Sequence, residues 1–178
     1  MKTLACLTAI ALLIATPVSA QSVGEKTGVN SALGISPTTA DFVKEVAMSD
    51  MLEIESSKLA QQRGPADVKA FADQMIADHT KTSSELKQMV KDGGVKTELP
   101  ATLDSKHQGK VDDLKKAKPD DFAGDYVDMQ VSAHKDAVSL FERYAKNGDN
   151  AKLKDWASKT LPALKHHLEM AQALDKKY

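Results

Sequence analysis

Hydrophobic positions along most of this chain recur every three or four residues, the spacing of one face of an α-helix. Such a pattern covers residues 38–63, 65–92, 119–146 and 150–178, and a shorter one covers residues 102–116. No segment alternates β-branched and polar residues with a period of two, so the sequence predicts no strand. The pattern therefore predicts an all-α protein with four long helices and one short helix.

Turn-forming residues set the limits of these helices. Thr38 suits the N-cap of the first long helix, and Asp41 completes a capping-box-like pair. Gly64 suits a left-handed position after that helix and Pro65 the first position of the next, which predicts a tight antiparallel hairpin. Residues 147–150, Asn-Gly-Asp-Asn, predict the turn of a second hairpin.

The connection between the two hairpins is about 25 residues long and carries the short helix, so it can run the full length of a bundle. A four-helix bundle with one long crossover is the ferritin-like arrangement, which is the fold that we expect. Pro162 predicts a kink in the fourth long helix because it frees the carbonyl of Ser158. Residues 21–37, rich in Gly, Ser, Asn and Thr, predict a disordered leader, and residues 38–178 then form the bundle domain.

The first twenty residues have the features of a cleavable signal peptide. Lys2 gives a positive start, residues 4–15 are apolar and uncharged, and Val18-Ser19-Ala20 supplies small residues for a peptidase. The apolar run is shorter than the roughly 20 residues that a membrane-spanning helix needs. We therefore predict removal of residues 1–20 and export to the periplasm or cell envelope.

Composition and charge exclude several classes of function. The single cysteine, Cys6, lies in the predicted signal, so the exported chain offers no thiol for disulfides, metal binding or catalysis. The 24 basic and 25 acidic residues are mixed along the chain without a basic cluster, which argues against a nucleic-acid partner. No second apolar stretch approaches membrane length, so we expect no transmembrane segment in the mature chain.

Three of the five histidines fall in the middle of the apolar faces of three different helices. His79, His134 and His167 each have apolar neighbours within about 40° when their helices are wound at about 100° per residue. The first long helix has no histidine, but it places Glu53 among small residues near mid-length. We expect these four residues to converge, although counting from each turn leaves a mismatch of roughly one helical turn, or about 5–7 Å.

Two interpretations of this cluster stay open. In the first, the cluster binds a metal ion or a small ligand in metal handling or envelope stress. For a metal, three imidazoles and one carboxylate suit zinc, iron or copper, with Asp78 and Gln130 as supports of the ligands. In the second, the histidines are neutral core residues that fix helix register in a structural or protein-interaction module. Met48, Met51 and Met75 add the question of copper binding, against the ordinary packing role of methionine.

The motifs around these residues resemble a known family. The similar stretches are Met51-Leu52-Glu53-Ile54, Met75-Ile76-Ala77-Asp78-His79, Tyr126-Val127-Asp128-Met129-Gln130-Val131 and Leu161-Pro162. They resemble the exported family called domain of unknown function 4142, over about residues 40–174. The resemblance implies a ferritin-like fold and an envelope location, often described as a predicted outer-membrane protein, and it implies no established activity.

The chain departs from the di-iron pattern of the wider ferritin-like group. That pattern needs a carboxylate three residues before a histidine on two helices, whereas Ile76, Val131 and Leu164 occupy those places here. We therefore expect no di-iron oxidase and assign no catalytic residue. His107, on the short helix, and His166, off the buried face, are predicted to be surface residues.

Overall fold

The computed structural model describes residues 23–25 and 27–178, so the predicted signal peptide lies outside the described residues. Its helices are α1 (Val29–Ala32), α2 (Thr39–Arg63), α3 (Ala66–Lys91), α4 (Ser105–Lys116), α5 (Phe122–Asn147) and α6 (Ala151–Asp175). These two ranges contain no strand, which confirms the all-α prediction. Within them, no helix is both long enough and apolar enough to cross a membrane.

The four long helices form two hairpins that pack against each other. Helix α2 packs along α3 and α5 along α6, and the short connections make each pair antiparallel. The hairpins meet mainly through α2 and α5 and less closely through α3 and α6, while α4 rests on α2 and α5. Helix α5 begins at Phe122, after a turn at residues 119–121 that was predicted to be helical. Helix α6 continues through Pro162.

Capping side chains fix where helices begin. The Thr38 hydroxyl oxygen accepts a hydrogen bond from the Asp41 N–H at 3.2 Å, which confirms the predicted start of α2. Helix α4 begins at Ser105, three residues later than predicted, because Asp104 takes the capping position. The Asp104 carboxylate accepts from the His107 N–H at 2.9 Å, which satisfies one of the first-turn donors that lack a partner within the helix.

Gly64 acts differently from the prediction. Its φ of −73° and ψ of 160° are extended, so the left-handed conformation predicted for it is wrong. A Cβ at this position would lie 2.8 Å from both the Ala60 carbonyl oxygen and Val68 Cγ1, so the hairpin needs glycine for space. A glycine in the left-handed conformation does follow α3, where Gly93 has a φ of 71°.

Buried side chains form two apolar clusters at opposite ends of the long helices. The first contains Phe42, Val43, Val46, Leu86, Ala137, Leu140, Phe141, Tyr144, Leu153, Ala157 and Leu164. The second contains Ala60, Val68, Phe71, Ala72, Met75, Phe122, Tyr126, Val127, Val131 and Ala171. Between them lie buried polar residues, here called the polar layer: Asp50, Glu53, Ser56, Ser57, His79, Gln130, His134 and His167. Every long helix thus passes from one cluster to the other through the polar layer.

The segment before α2 contacts α5 through a buried ion pair. Both terminal nitrogens of Arg143 donate to the Glu25 carboxylate, at 2.7 and 3.0 Å, and one also donates to the Ile35 carbonyl at 2.6 Å. The disorder predicted for residues 21–37, and the domain boundary at residue 38, stay predictions. The contacts of Arg143 nevertheless bring Glu25 and Ile35 onto the surface of α5.

Replacing Gly64 with alanine is expected to lower the free energy of unfolding by about 1–3 kcal/mol, because the new Cβ would press on a backbone carbonyl. Gly109→Ala is the matched control, since a Cβ in the middle of α4 meets no atom within 4 Å. That change is expected to raise the free energy of unfolding by about 0.5–1 kcal/mol. Urea unfolding followed by circular dichroism measures both, and an unimpaired Gly64→Ala variant would contradict the packing described for the hairpin.

Candidate metal centre

Three imidazole rings meet within the polar layer. One ligand nitrogen from each of His79, His134 and His167 lies within 4.8 Å of the other two. The ring centroids are 5.4 to 5.7 Å apart, and all three side chains are almost completely buried. The rings come from α3, α5 and α6, so their convergence depends on the packing of the two hairpins.

Each ring is held by a hydrogen bond at one nitrogen. The bonds are His79 Nδ1 to Asp50 Oδ1 at 2.8 Å, His134 Nδ1 to the main-chain carbonyl oxygen of Gln130 at 2.9 Å and His167 Nε2 to Asp78 Oδ2 at 2.9 Å. Because a carbonyl oxygen can only accept, the proton of neutral His134 is on Nδ1. Two of the acceptors, Asp78 and Gln130, are the residues that the sequence suggested as supports of the ligands.

The second nitrogen of each ring has no hydrogen-bond partner in the described part of the chain. These atoms are His79 Nε2, His134 Nε2 and His167 Nδ1. A buried polar atom without a partner lowers the stability of a fold by about 1–3 kcal/mol, so three such atoms in one layer are strongly destabilising. A cation that accepts all three lone pairs would remove that cost. Metal-bound imidazole nitrogens lie about 2 Å from the ion and hence about 3.3 Å apart, so the rings would close by up to about 1.5 Å.

The number of residues between each side chain and the turn of the first hairpin explains which side chain meets His79. Asp50 lies 14 residues before Gly64 and His79 lies 14 residues after Pro65, so the two are directly opposite. Sequence reasoning missed Asp50, although this count was a signal that could have found it. The buried Asp50 carboxylate also accepts from the Thr82 hydroxyl at 2.9 and 3.0 Å, so it is fixed in place.

Glu53 lies beside the three rings and not among them. Its Oε1 is 4.0 Å from His134 Nδ1, and it does not belong to the set of ligand atoms within 4.8 Å of one another. The side chain is buried, and Oε2 has no hydrogen-bond partner among the described residues. Burial raises the pKa of Glu53, against the opposing effects of His79 and a hydrogen bond from Gln130. The carboxyl group is therefore a ready acceptor for a proton or a cation.

Burial also sets the charge of the imidazoles. It lowers the pKa of His134 to about 4 and that of His167 to about 4, and the charge of His79 acts in the same direction on both. Burial alone would also lower the pKa of His79, but the hydrogen bond to Asp50 and the negative charge of Glu53 outweigh it and raise that pKa. At neutral pH, His134 and His167 are thus in the neutral form that binds metals.

The other residues considered from the sequence lie elsewhere. Met75 belongs to the second apolar cluster, Met48 is buried in α2 and Met51 is half-buried. His166 is exposed, as expected, and His107 is half-buried on α4. Core packing accounts for Met75, whose neighbours in that cluster are apolar.

Acid is expected to destabilise the metal-free protein through His134. Its pKa of about 4 in the folded state lies below the roughly 6.5 of an unfolded chain, so only the unfolded chain takes up this proton between those values. The free energy of unfolding therefore falls as the pH falls from about 6.5 to about 4. The raised pKa of His79 gives a contribution that is already complete below about 6.5, so it does not offset this loss.

Urea unfolding at pH 7 and pH 5 in the presence of a chelator measures the effect. In the His134→Phe variant the loss between the two pH values should be smaller by about 1–2 kcal/mol. His166→Phe, at an exposed position on α6, is the control and should keep the original dependence. If His134→Phe also kept it, the neutral state assigned to His134 would be wrong.

One family model matches nearly all of the described chain. The family model described as "Domain of unknown function (DUF4142)" matches residues 24–174. Neither a curated protein nor a solved structure matches the chain. The matched stretch includes the three histidines of the polar layer and begins one residue before Glu25. This chain therefore belongs to the DUF4142 family.

Proposed function

We propose that this protein binds one transition-metal ion between His79, His134 and His167. The proposal rests on one observation. In each of the three rings, one nitrogen is hydrogen-bonded and the other is buried without a partner among the described residues. Histidines that bind metals are normally fixed in this way, by a carboxylate or a carbonyl oxygen on the nitrogen that does not bind the ion.

Three imidazoles are donors that suit zinc, iron or copper, and His79, whose pKa is raised, gives up its extra proton wherever it carries one when the ion binds. The ion would bring two positive charges into a buried site, and the carboxylates of Asp50, Glu53 and Asp78 stand close enough to balance them. Glu53 is the candidate for the fourth position, either on the ion or on a water bound to it. Because burial raises the pKa of Glu53, metal binding is expected to release its proton wherever that carboxyl is protonated.

The proposal includes a ferritin-like four-helix bundle as the scaffold and export to the periplasm or cell envelope. Two antiparallel hairpins joined by a long connection with its own helix support the first part. The composition of residues 1–20 supports the second. For the role of the bound ion, we propose metal handling or a response to envelope stress. Di-iron oxidase chemistry is not proposed, because Ile76, Val131 and Leu164 stand where a di-iron site needs carboxylates.

A structural or protein-interaction module is the competing function. In that case the polar layer only fixes the register of the helices, as buried polar residues do in some helical assemblies. The observation that favours it is that each long helix contributes to the layer between the same two apolar clusters. The two functions differ in whether the unpartnered nitrogens hold an ion.

Chelator-treated protein without an affinity tag is expected to bind one Co²⁺ per chain and to show the visible absorption of a nitrogen-liganded cobalt site. Zn²⁺ at a hundredfold excess over its Kd should stabilise the protein by about 2.7 kcal/mol, which for a chain of this size raises the Tm by about 5–10 °C. His79→Ala and His134→Ala should abolish both effects, because each removes one of three ligands.

His166→Ala is the matched control, since it removes an adjacent but exposed imidazole from α6 and should leave cobalt binding unchanged. A folded protein that binds no cobalt and gains no stability from zinc would support the structural module instead. Retained binding in both His79→Ala and His134→Ala would show that the ion sits elsewhere.

A further inference from the structure

A cavity of about 620 Å³ lies beside the polar layer. Helices α2, α4 and α5 form its walls, together with residues before α2 that include Glu25 and Ser31. We call it the side cavity. Its volume is in the range of cavities that receive small ligands, so hydrated ions fit inside it.

The inner wall of the side cavity adjoins the proposed metal centre. Ser49 of α2 and Ala133 and Ala137 of α5 line it. Ala133 is next to His134 in the chain, and Ser49 is one helical turn from Glu53. These three lining residues are small, whereas Leu52, which precedes Glu53 and also lines the cavity, is the large side chain that an ion has to pass at this wall.

One stripe of α2 carries oxygen donors from the side cavity to the centre. Glu45, Ser49 and Glu53 are spaced by four residues, so they follow one another along one side of the helix, about 6 Å apart. Glu45 and Ser49 line the cavity, whereas Glu53 is buried in the polar layer with its Oε2 unpartnered among the residues described. Carboxylate and hydroxyl oxygens at this spacing could receive a divalent cation in successive steps.

Acidic side chains outnumber basic ones on the cavity wall: besides the pair of Glu25 with Arg143, it carries Glu45, Asp104 and Asp136 against Lys106 and Lys110. Burial raises the pKa of Glu45, with Asp104 and Glu25 acting in the same direction and His107 and Lys106 in the opposite one. Arg143 also lines the cavity, but its guanidinium is bound by Glu25 at 2.7 and 3.0 Å. That ion pair removes a positive charge which would otherwise repel a metal ion at the wall.

We propose that the side cavity admits divalent metal ions to the three histidines, with Glu45 as the first carboxylate that they meet. This inference rests on the proposed function, because it needs a metal ion at the centre. A rival route lies on the opposite side, where the Asp78 carboxylate, with 43% of its side chain exposed, accepts from His167 Nε2. The Glu45 route is favoured because a cavity leads along it.

Stopped-flow mixing of the metal-free full chain with Co²⁺, and chelator-driven release of Co²⁺, test the route. Glu45→Gln is expected to slow both association and dissociation about tenfold while the Kd stays within about twofold, because Glu45 acts on passage and not on the bound ion. Glu55→Gln is the matched control, since it removes the same charge from an exposed position of α2 that does not line the cavity. It should leave both rate constants unchanged.

A blocking experiment provides a second measurement. Cys6 is the only cysteine of the chain, so Ser105→Cys in a Cys6→Ser background gives one thiol at the cavity wall. A bulky maleimide on that thiol should slow Co²⁺ binding at least tenfold, whereas the same label on Ser158→Cys, exposed on α6, should not.

Unchanged rates in Glu45→Gln and in the labelled Ser105→Cys protein would overturn the side-cavity route, and slower Co²⁺ association only in protein that carries the same label at Ala77→Cys, an exposed position next to Asp78, would assign passage to the opposite side. Both results leave equilibrium Co²⁺ binding intact and so leave the metal centre standing. Absence of Co²⁺ binding to the unchanged protein at equilibrium would overturn the proposed function itself.

Discussion

The packing of the four long helices depends on three buried imidazole nitrogens that have no hydrogen-bond partner among the described residues. Three imidazoles share the polar layer, and the atoms that would hydrogen-bond water in solution have no partner in the part of the chain described. Their cost must be offset by the rest of the fold, and the two apolar clusters do this by burying aromatic and aliphatic side chains above and below the layer. Since each long helix is anchored in both clusters, its polar residue has little freedom to withdraw.

Side-chain contacts pack the long helices together on both sides of the polar layer. At one end, Phe42 stacks on Tyr144 with ring centroids 3.9 Å apart and meets Phe141 edge-on at 5.1 Å. At the other end, the Arg63 guanidinium lies 4.2 Å over the Phe122 ring and donates to the carbonyl of Leu114 at 2.9 Å. The second contact ties the turn of the first hairpin to α4, so the long connection is fastened to the helices that it joins.

The helices and their pairing could be predicted from the sequence because local signals specify them. Thr38 marks the start of α2 as its N-cap, and Gly64 with Pro65 predicts a short turn between α2 and α3. The convergence of His79, His134 and His167 followed from periodicity within each helix. Asp50 was not predicted: counting across the turn places it opposite His79, but its choice over Glu53 needed the geometry of the hairpin. Space around Gly64, the side cavity and the Arg143 contacts come from packing between distant segments, which no local pattern encodes.

The ion pair of Arg143 bears on where this domain can be truncated. A shortened protein starting at Thr38 would retain every long helix and lose Glu25, leaving a guanidinium whose side chain is only 10% exposed without its counterion. Truncation would remove the counterion together with residues that cover the guanidinium, so the protein would lose both the ion pair and the packing around it. Expression of this protein for crystallisation or spectroscopy should therefore keep Glu25 and the residues between it and Thr38, however dispensable their composition makes them look.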